Sequence, residues 1–219
     1  MMKKITILFT ATLIGACLVG CGNEKQVEDL TNNNTQVEND VQTDEEEATM
    51  PAKTEGNNPK VAIDVENYGV ITVELDADSA PISVENFLKL TNEGFYDGLT
   101  FHRIIDGFMM QGGDPTGTGM GGANENIKGE FASNGVDNKL SHTKGAISMA
   151  RSGDPNSASS QFFIVDEDSV FLDGDYAAFG YVTEGMDIVN KICDEAKVAD
   201  GNGTVLPDNQ PIIKSIKVV

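Results

Sequence analysis

Positive charge is scarce in this chain. Its 219 residues hold 15 lysines and arginines against 35 aspartates and glutamates, and the only arginines are Arg103 and Arg151. From Lys60 onward the balance is 25 acidic to 11 basic residues, a net −14. Nucleic-acid binding wants a basic stripe, and docking on an anionic membrane wants a cationic face, so the balance disfavours both. Histidine is as rare: His102 and His142 lie far apart and share no metal-binding helix motif, so each reads as a hydrogen-bonded structural residue. There is no Walker lysine, no G-x-S-x-G and no cysteine nucleophile facing a histidine. Gly117, Gly119 and Gly122 do spell G-x-G-x-x-G, but they follow Asp114-Pro115 rather than a strand, and no good helix pattern begins there. Neither a metal nor a cofactor is expected.

Long apolar runs are also missing, with one exception. Behind Lys3 and Lys4, Ile5 to Gly20 form sixteen residues without a charge. That is short of the about 20 residues a membrane-spanning helix needs, and it fits the core of a signal peptide over 1–20. It runs into "LVGC", 18–21, which resembles a bacterial lipobox and implies that Cys21 is acylated and becomes the mature N-terminus. Cys17 leaves with the signal, so Cys193 is then alone, and an intrachain disulfide or a cysteine metal site is excluded. The expected location is the extracytoplasmic face of the cell membrane, with the lipid as sole anchor. Residues 22–59 contain ten acidic residues, two lysines, seven asparagines and no aromatic residue. Such a segment cannot bury enough apolar surface to offset its chain entropy, and it reads as a disordered acidic tether over 21–59 with a reach of roughly 30 to 35 Å.

The remaining residues, 60–219, are enough for one substantial core. "VAIDV" (61–65) and "VITVEL" (70–75) alternate like strands and are joined by "ENYG", a hairpin signal. "SAPISVENFLKLTNEG" places Pro81 near a helix start, Val84, Phe87, Leu88 and Leu90 at helical spacing, and Gly94 as a stop. Short apolar runs follow at 145–150, 161–165 and 177–182, then a second helix at "EGMDIVNKIC" and a last strand at "IIKSIKVV". Many short strands with two helices point to an antiparallel barrel or sandwich.

"FHRIIDGFMMQGGD" (101–114), "SMA" (148–150), "SQFFI" (160–164) and "FLDG" (171–174) remain to be explained. In this order they resemble the cyclophilins, the peptidyl-prolyl cis/trans isomerases, across nearly all of 61–219. The resemblance implies a mainly β fold: a closed eight-stranded antiparallel β-barrel capped by two α-helices.

Isomerase chemistry accounts for a cation in so apolar a stretch. Rotation about an X-Pro bond crosses a barrier of about 18–20 kcal/mol because amide resonance is broken, while the two isomers differ by only about 0.5–1 kcal/mol. No nucleophile is needed. What is needed is a pocket for proline and a donor for the nitrogen lone pair that appears as the amide twists, and an always-charged guanidinium with several donors suits that task. Arg103 is the expected catalytic residue. By resemblance, Phe108 and Gln111 assist it, with Gln111 binding the substrate backbone or holding Arg103 in place. Met109, Phe163 and Leu172 complete the proline pocket, and Ala150, Arg151 and Gln161 line the groove for residues preceding proline.

Three positions depart from familiar members of the family. Phe171 stands where tryptophan is usual, Tyr176 where histidine is usual, and Arg151 where asparagine is usual. By resemblance Phe171 and Tyr176 also bind substrate: Phe171 keeps the apolar wall without the indole donor, so cyclosporin binding is expected to be weakened, and Tyr176 can still donate a hydrogen bond. The expected partners are proline-containing segments of unfolded or exported proteins, met by a monomer. The competing expectation is a non-catalytic proline-peptide-binding chaperone or scaffold module that uses the same groove. A solute-capturing lipoprotein is disfavoured, because the chain is short for two lobes.

Overall fold

The structure, a computed structural model, describes residues 58–219. The expected signal peptide, Cys21 and nearly all of the expected acidic tether lie outside the described residues. Among the described residues no helix is long and apolar enough to cross a membrane.

The chain opens with the expected hairpin. Strand β1 (Lys60–Val65) pairs with β2 (Gly69–Leu75), and the turn closes with a bond from Tyr68 N–H to Val65 C=O, 3.0 Å. Asn67 supplies the left-handed backbone there, φ 65°, which asparagine tolerates better than most residues. Alternation decides the faces: Val61, Ile63, Val65, Ile71, Val73 and Leu75 are all buried. Helix α1 (Pro81–Asn92) follows, with proline in its first turn, where a missing N–H costs nothing. Val84, Phe87 and Leu90 are buried, and Leu88 packs on the core from its edge. Its free N-terminal amides are met from 47 and 48 residues downstream: buried Glu130 accepts from Ser83 N–H at 2.7 Å and from Ile82 N–H at 3.0 Å.

Strands β3 (Thr100–Ile105) and β4 (Met109–Asp114) form a second hairpin, β5 (Ala146–Met149) and β6 (Phe162–Val165) a third pair, and β7 (Ala178–Glu184) runs into helix α2 (Met186–Glu195). Strand β8 (Ile213–Val218) ends the domain. Helix α2 buries Val189, Ile192 and Cys193. Burial pushes the Cys193 thiol up to about 12, so it stays protonated and inert.

All pairings are antiparallel, in the order β3-β4-β6-β5-β7-β2-β1-β8. The expected closed barrel is not formed: the eight strands make an open half-barrel whose edges, β3 and β8, share no ladder. A bridge at Thr100 and Ile212, with a bond from Ile213 N–H to Leu99 C=O, is where those edges meet. Beyond it Pro211 has no N–H to give, and the edge of β3 is taken up instead by the loop 203–205, through Ile104 N–H to Gly203 C=O and Val205 N–H to His102 C=O.

The sheet has two occupied faces. The main core fills its concave side, where Ile104, Met110, Phe162 and Ile164 meet Phe87 of α1 and Ile192 of α2. A smaller cluster of Met109, Phe163, Val165 and Ala146 lies on the opposite face. The alternation of β4 and β6 produces this split, and it places the second cluster beneath a surface pocket.

Candidate active site

Strand register assembles the pocket. Arg103 of β3 lies directly across from Gln111 of β4, which lies across from Phe163 of β6. Phe108 comes from the β3–β4 turn, Ala150 and Arg151 follow β5, and Leu172 and Tyr176 come from the loop before β7. Arg103, Phe108, Met109 and Phe163 with Leu172 bound a cavity of about 150 Å³. Gln111, Ala150, Arg151 and Tyr176 complete its wall.

Arg103 is held at three points. Its Nε donates to the Asn202 carbonyl at 2.9 Å, and its Nη1 donates to Gln111 Oε1 at 3.3 Å and lies 3.8 Å from Met109 Sδ. Gln111 is fixed in turn, since its Nε2 donates to Gln161 Oε1 at 2.8 Å. Gln161 donates onward to the carbonyls of Gly121, at 2.6 Å, and Gly119, at 3.1 Å. Gln161 therefore stands behind Gln111 as a support and does not line the cavity. The Nη2 of Arg103 has no partner among the described residues. It is a rigidly mounted, unspent charged donor at the edge of an apolar pocket.

Phe171 departs from its expected place. Its ring packs on Phe108, yet the residue is 71% exposed and does not line the cavity. Tyr176 does line it, edge-on to Phe163 at 6.0 Å between centroids.

The two histidines divide. His142 is the expected structural residue: its Nδ1 pairs with Asp173 Oδ1 at 2.8 Å, its Nε2 with Ser148 Oγ at 2.9 Å, and its ring stacks on Phe163 at 6.0 Å. This serine–histidine–aspartate order is that of a hydrolase triad, but Ser148 is wholly buried and beyond any substrate's reach. Burial lowers the His142 pKa despite the Asp173 carboxylate. His102 is buried as well, but among the described residues neither ring nitrogen has a hydrogen-bond partner, so the expectation of a hydrogen-bonded histidine is not met there. Burial first, and then the Arg103 charge, lower its pKa against the pull of Asp114, which keeps it neutral beside the guanidinium. The glycine run after Asp114 turns its amides back onto that carboxylate, through Thr118 N–H at 3.0 Å and Gly119 N–H at 2.6 Å. Burial would raise the Asp114 carboxyl, but bonds from Thr116 and from the amides of Gly121 and Gly119 outweigh it and hold it at about 2.

Sequence reasoning did not find Asn202, which anchors Arg103, or Phe131, over which the Arg151 guanidinium lies at 5.0 Å. Both sit in loops without a local pattern, so only tertiary placement reveals them. Among the described residues no cluster of three or more metal-ligating side chains occurs.

Comparison with known proteins agrees with this geometry. The family model for cyclophilin type peptidyl-prolyl cis-trans isomerases matches residues 60–218. A peptidyl-prolyl cis-trans isomerase of Arabidopsis thaliana is 42% identical over 144 residues, 65% of this chain and 85% of that protein. Peptidyl-prolyl cis-trans isomerase B of Bacillus subtilis is 47% identical over 128 residues, 58% of this chain and 86% of that protein. The crystal structure of a Cryptosporidium parvum cyclophilin-type isomerase, determined in the presence of the dipeptide Ala-Pro, matches with a TM-score of 0.64 at 33% identity, covering 73% of this chain and 98% of that one. The chain belongs to the cyclophilin-type peptidyl-prolyl cis-trans isomerase family, and it is an enzyme of that activity.

Proposed function

We propose that this isomerase acts on proline-containing segments of exported proteins at the outer face of the cell membrane, held there by lipid on Cys21. The proline ring enters the cavity over Phe163, Met109, Phe108 and Leu172, where apolar burial favours it and little else of its shape fits. The X-Pro amide then lies at the rim beside Arg103. In the planar ground state the amide nitrogen is a poor acceptor. As the bond twists its lone pair localises, and the free Nη2 of Arg103 donates to it, so the interaction is strongest at the transition state. Gln111 and Asn202 keep the guanidinium aimed, which lowers the ordering cost of that bond.

The demand is modest. Moving from an uncatalysed time of about a hundred seconds to a turnover of about 10–1,000 per second takes roughly 4–7 kcal/mol. A charge-assisted hydrogen bond in a poorly screened site, together with a shape-selective pocket, is of that size. The single observation that carries the reading is the mounting of Arg103: two nitrogens engaged, the third unspent, at the edge of the apolar cavity. The test is a protease-coupled assay on a neutral prolyl tetrapeptide, comparing wild type with Arg103→Ala. Equal turnover by the two would overturn the mechanism. The assignment to exported clients rests on the lipobox-like "LVGC" and on the uncharged run before it.

A further inference from the structure

The two arginines differ from most of the lysines in how their charge is met. Of the nine lysines among the described residues, seven stand in ion pairs with carboxylates there, and Lys128 and Lys197 do not. Neither Arg103 nor Arg151 does. Arg151 donates from Nε to the Asp175 carbonyl at 2.9 Å and from Nη1 to the Ser152 carbonyl at 2.9 Å. Both acceptors are neutral main-chain oxygens, and among the described residues no carboxylate pairs with the guanidinium and Nη2 has no partner.

The guanidinium is also clamped between rings, 4.6 Å from the centroid of Tyr176 and 5.0 Å from that of Phe131. Arginine normally loses much side-chain freedom when it binds a ligand, and here stacking has removed that freedom in advance. Arg103 and Arg151 line the same cavity. In a domain of net −14, that cavity is where two cations without a direct carboxylate ion pair among the described residues converge, Arg103 feeling Asp200 only through space.

From this we infer that Arg151 is a specificity-determining residue that selects prolyl peptides bearing a carboxylate one or two residues before proline. This deepens the isomerase reading above and rests on it. An extended chain advances at most about 3.3–3.6 Å per residue, so a group that reaches Arg151 while proline fills the same small cavity belongs to the adjacent residue or the one beyond. The planar fork of a guanidinium matches one carboxylate. More strongly anionic segments are repelled by the surrounding acidic surface, so the preference is for a single acid and against a run of them. An acid captured by Arg103 instead would occupy the catalytic donor and depress turnover.

The experiment uses the full-length chain in a non-ionic detergent and two matched pairs of acetylated p-nitroanilides. One pair is Ala-Glu-Pro-Phe against Ala-Gln-Pro-Phe, and the other is Glu-Ala-Pro-Phe against Gln-Ala-Pro-Phe. Wild type should favour the glutamate member of at least one pair by about two- to fivefold in kcat/KM, the size of an exposed charge-assisted contact, expressed in KM. The preference should shrink toward unity between about 20 mM and about 0.5 M salt. Arg151→Gln should abolish it and Arg151→Lys should keep part of it. No glutamate preference in wild type, a lower kcat on the glutamate peptides, or a preference that survives Arg151→Gln would each overturn the proposal. Failure of wild type to turn over even the glutamine peptides would instead sink the isomerase reading itself.

Discussion

The ring of Phe171 lies against that of Phe108, centroids 5.6 Å apart and planes 34° apart, outside the proline cavity rather than in its wall. A tryptophan at this position would hold an indole N–H at the open rim, and phenylalanine offers the same apolar face without a donor. A buried ligand carbonyl left unpaired costs about 1–3 kcal/mol. Because Phe171 is 71% exposed, water can serve part of that need, and the cost falls toward the lower end. Cyclosporin should therefore inhibit this enzyme about five- to tenfold more weakly than the Phe171→Trp variant, at about 1.4 kcal/mol per decade. Peptide turnover should hardly change. A pair of inhibition curves decides it, and coincident curves would remove Phe171 from any part in drug recognition.

Arg103→Ala should lower kcat/KM at least about a hundredfold, the loss expected when a charged transition-state donor is removed. The melting temperature should stay within a degree or so, because the side chain lies at the pocket rim and touches the smaller cluster only at Met109 Sδ. Arg103→Lys should recover only part of the rate, since an ammonium cannot bond Asn202 and Gln111 and still present a fixed third donor. A lysine variant with full activity would argue for simple charge rather than the mounted fork.

Acid should loosen the loop that carries Leu172 and Tyr176. His142 is buried with its pKa lowered, so it contributes stability while neutral and loses that contribution as pH falls below its ordinary value of about 6.5. Burial alone would raise Asp173, but hydrogen bonds from Ser141 and His142 outweigh it and hold it low, so its contribution is lost only at still lower pH. At pH 7, His142→Gln should cost about 1–3 kcal/mol through broken buried bonds. Near pH 5 the gap to wild type should narrow, because the variant has no imidazole to charge. Melting curves that stay parallel across that range would count against the assignment.

Cys21→Ser should leave the protein unprocessed or release it from membranes, since the acidic domain has no affinity of its own for an anionic surface. Membrane fractionation and the mass of the N-terminal fragment report the outcome. A serine variant still cleaved before residue 21 and still membrane-bound would contradict lipid anchoring.

The elements most legible in the sequence are those whose burial follows one period. Strands β1 and β2 and both helices keep their apolar residues in step, while β7 and β8, whose burial does not alternate, are legible only as short apolar runs; all six have bounds within a few residues of expectation. Strands β3 and β4 do not read as strands, because "TFHRII" hides a buried histidine and "MMQGGD" carries two glycines. Those glycines answer a packing demand that no window of sequence displays: a Cβ on Gly112 would meet Thr100 O at 2.8 Å, and one on Gly113 would meet Ser160 O at 2.5 Å. The pocket residues were recognisable as a set only by resemblance, since Phe108, Met109 and Phe163 taken singly look like ordinary core. The sheet's openness, the Glu130 cap on α1 and the Phe131 clamp on Arg151 depend on where loops land after folding.

The alternation of β4 and β6 has a further consequence for how this protein can vary. Met110, Gly112, Phe162 and Ile164 answer to the main core, and their immediate neighbours Met109, Gln111, Phe163 and Val165 answer to the pocket side. A deletion of one residue in either strand would exchange the two sets at a stroke and ruin both. Single substitutions do the opposite. They fall on one side or the other, so the choice of client can drift, one outward residue at a time, while the inward residues keep the fold standing.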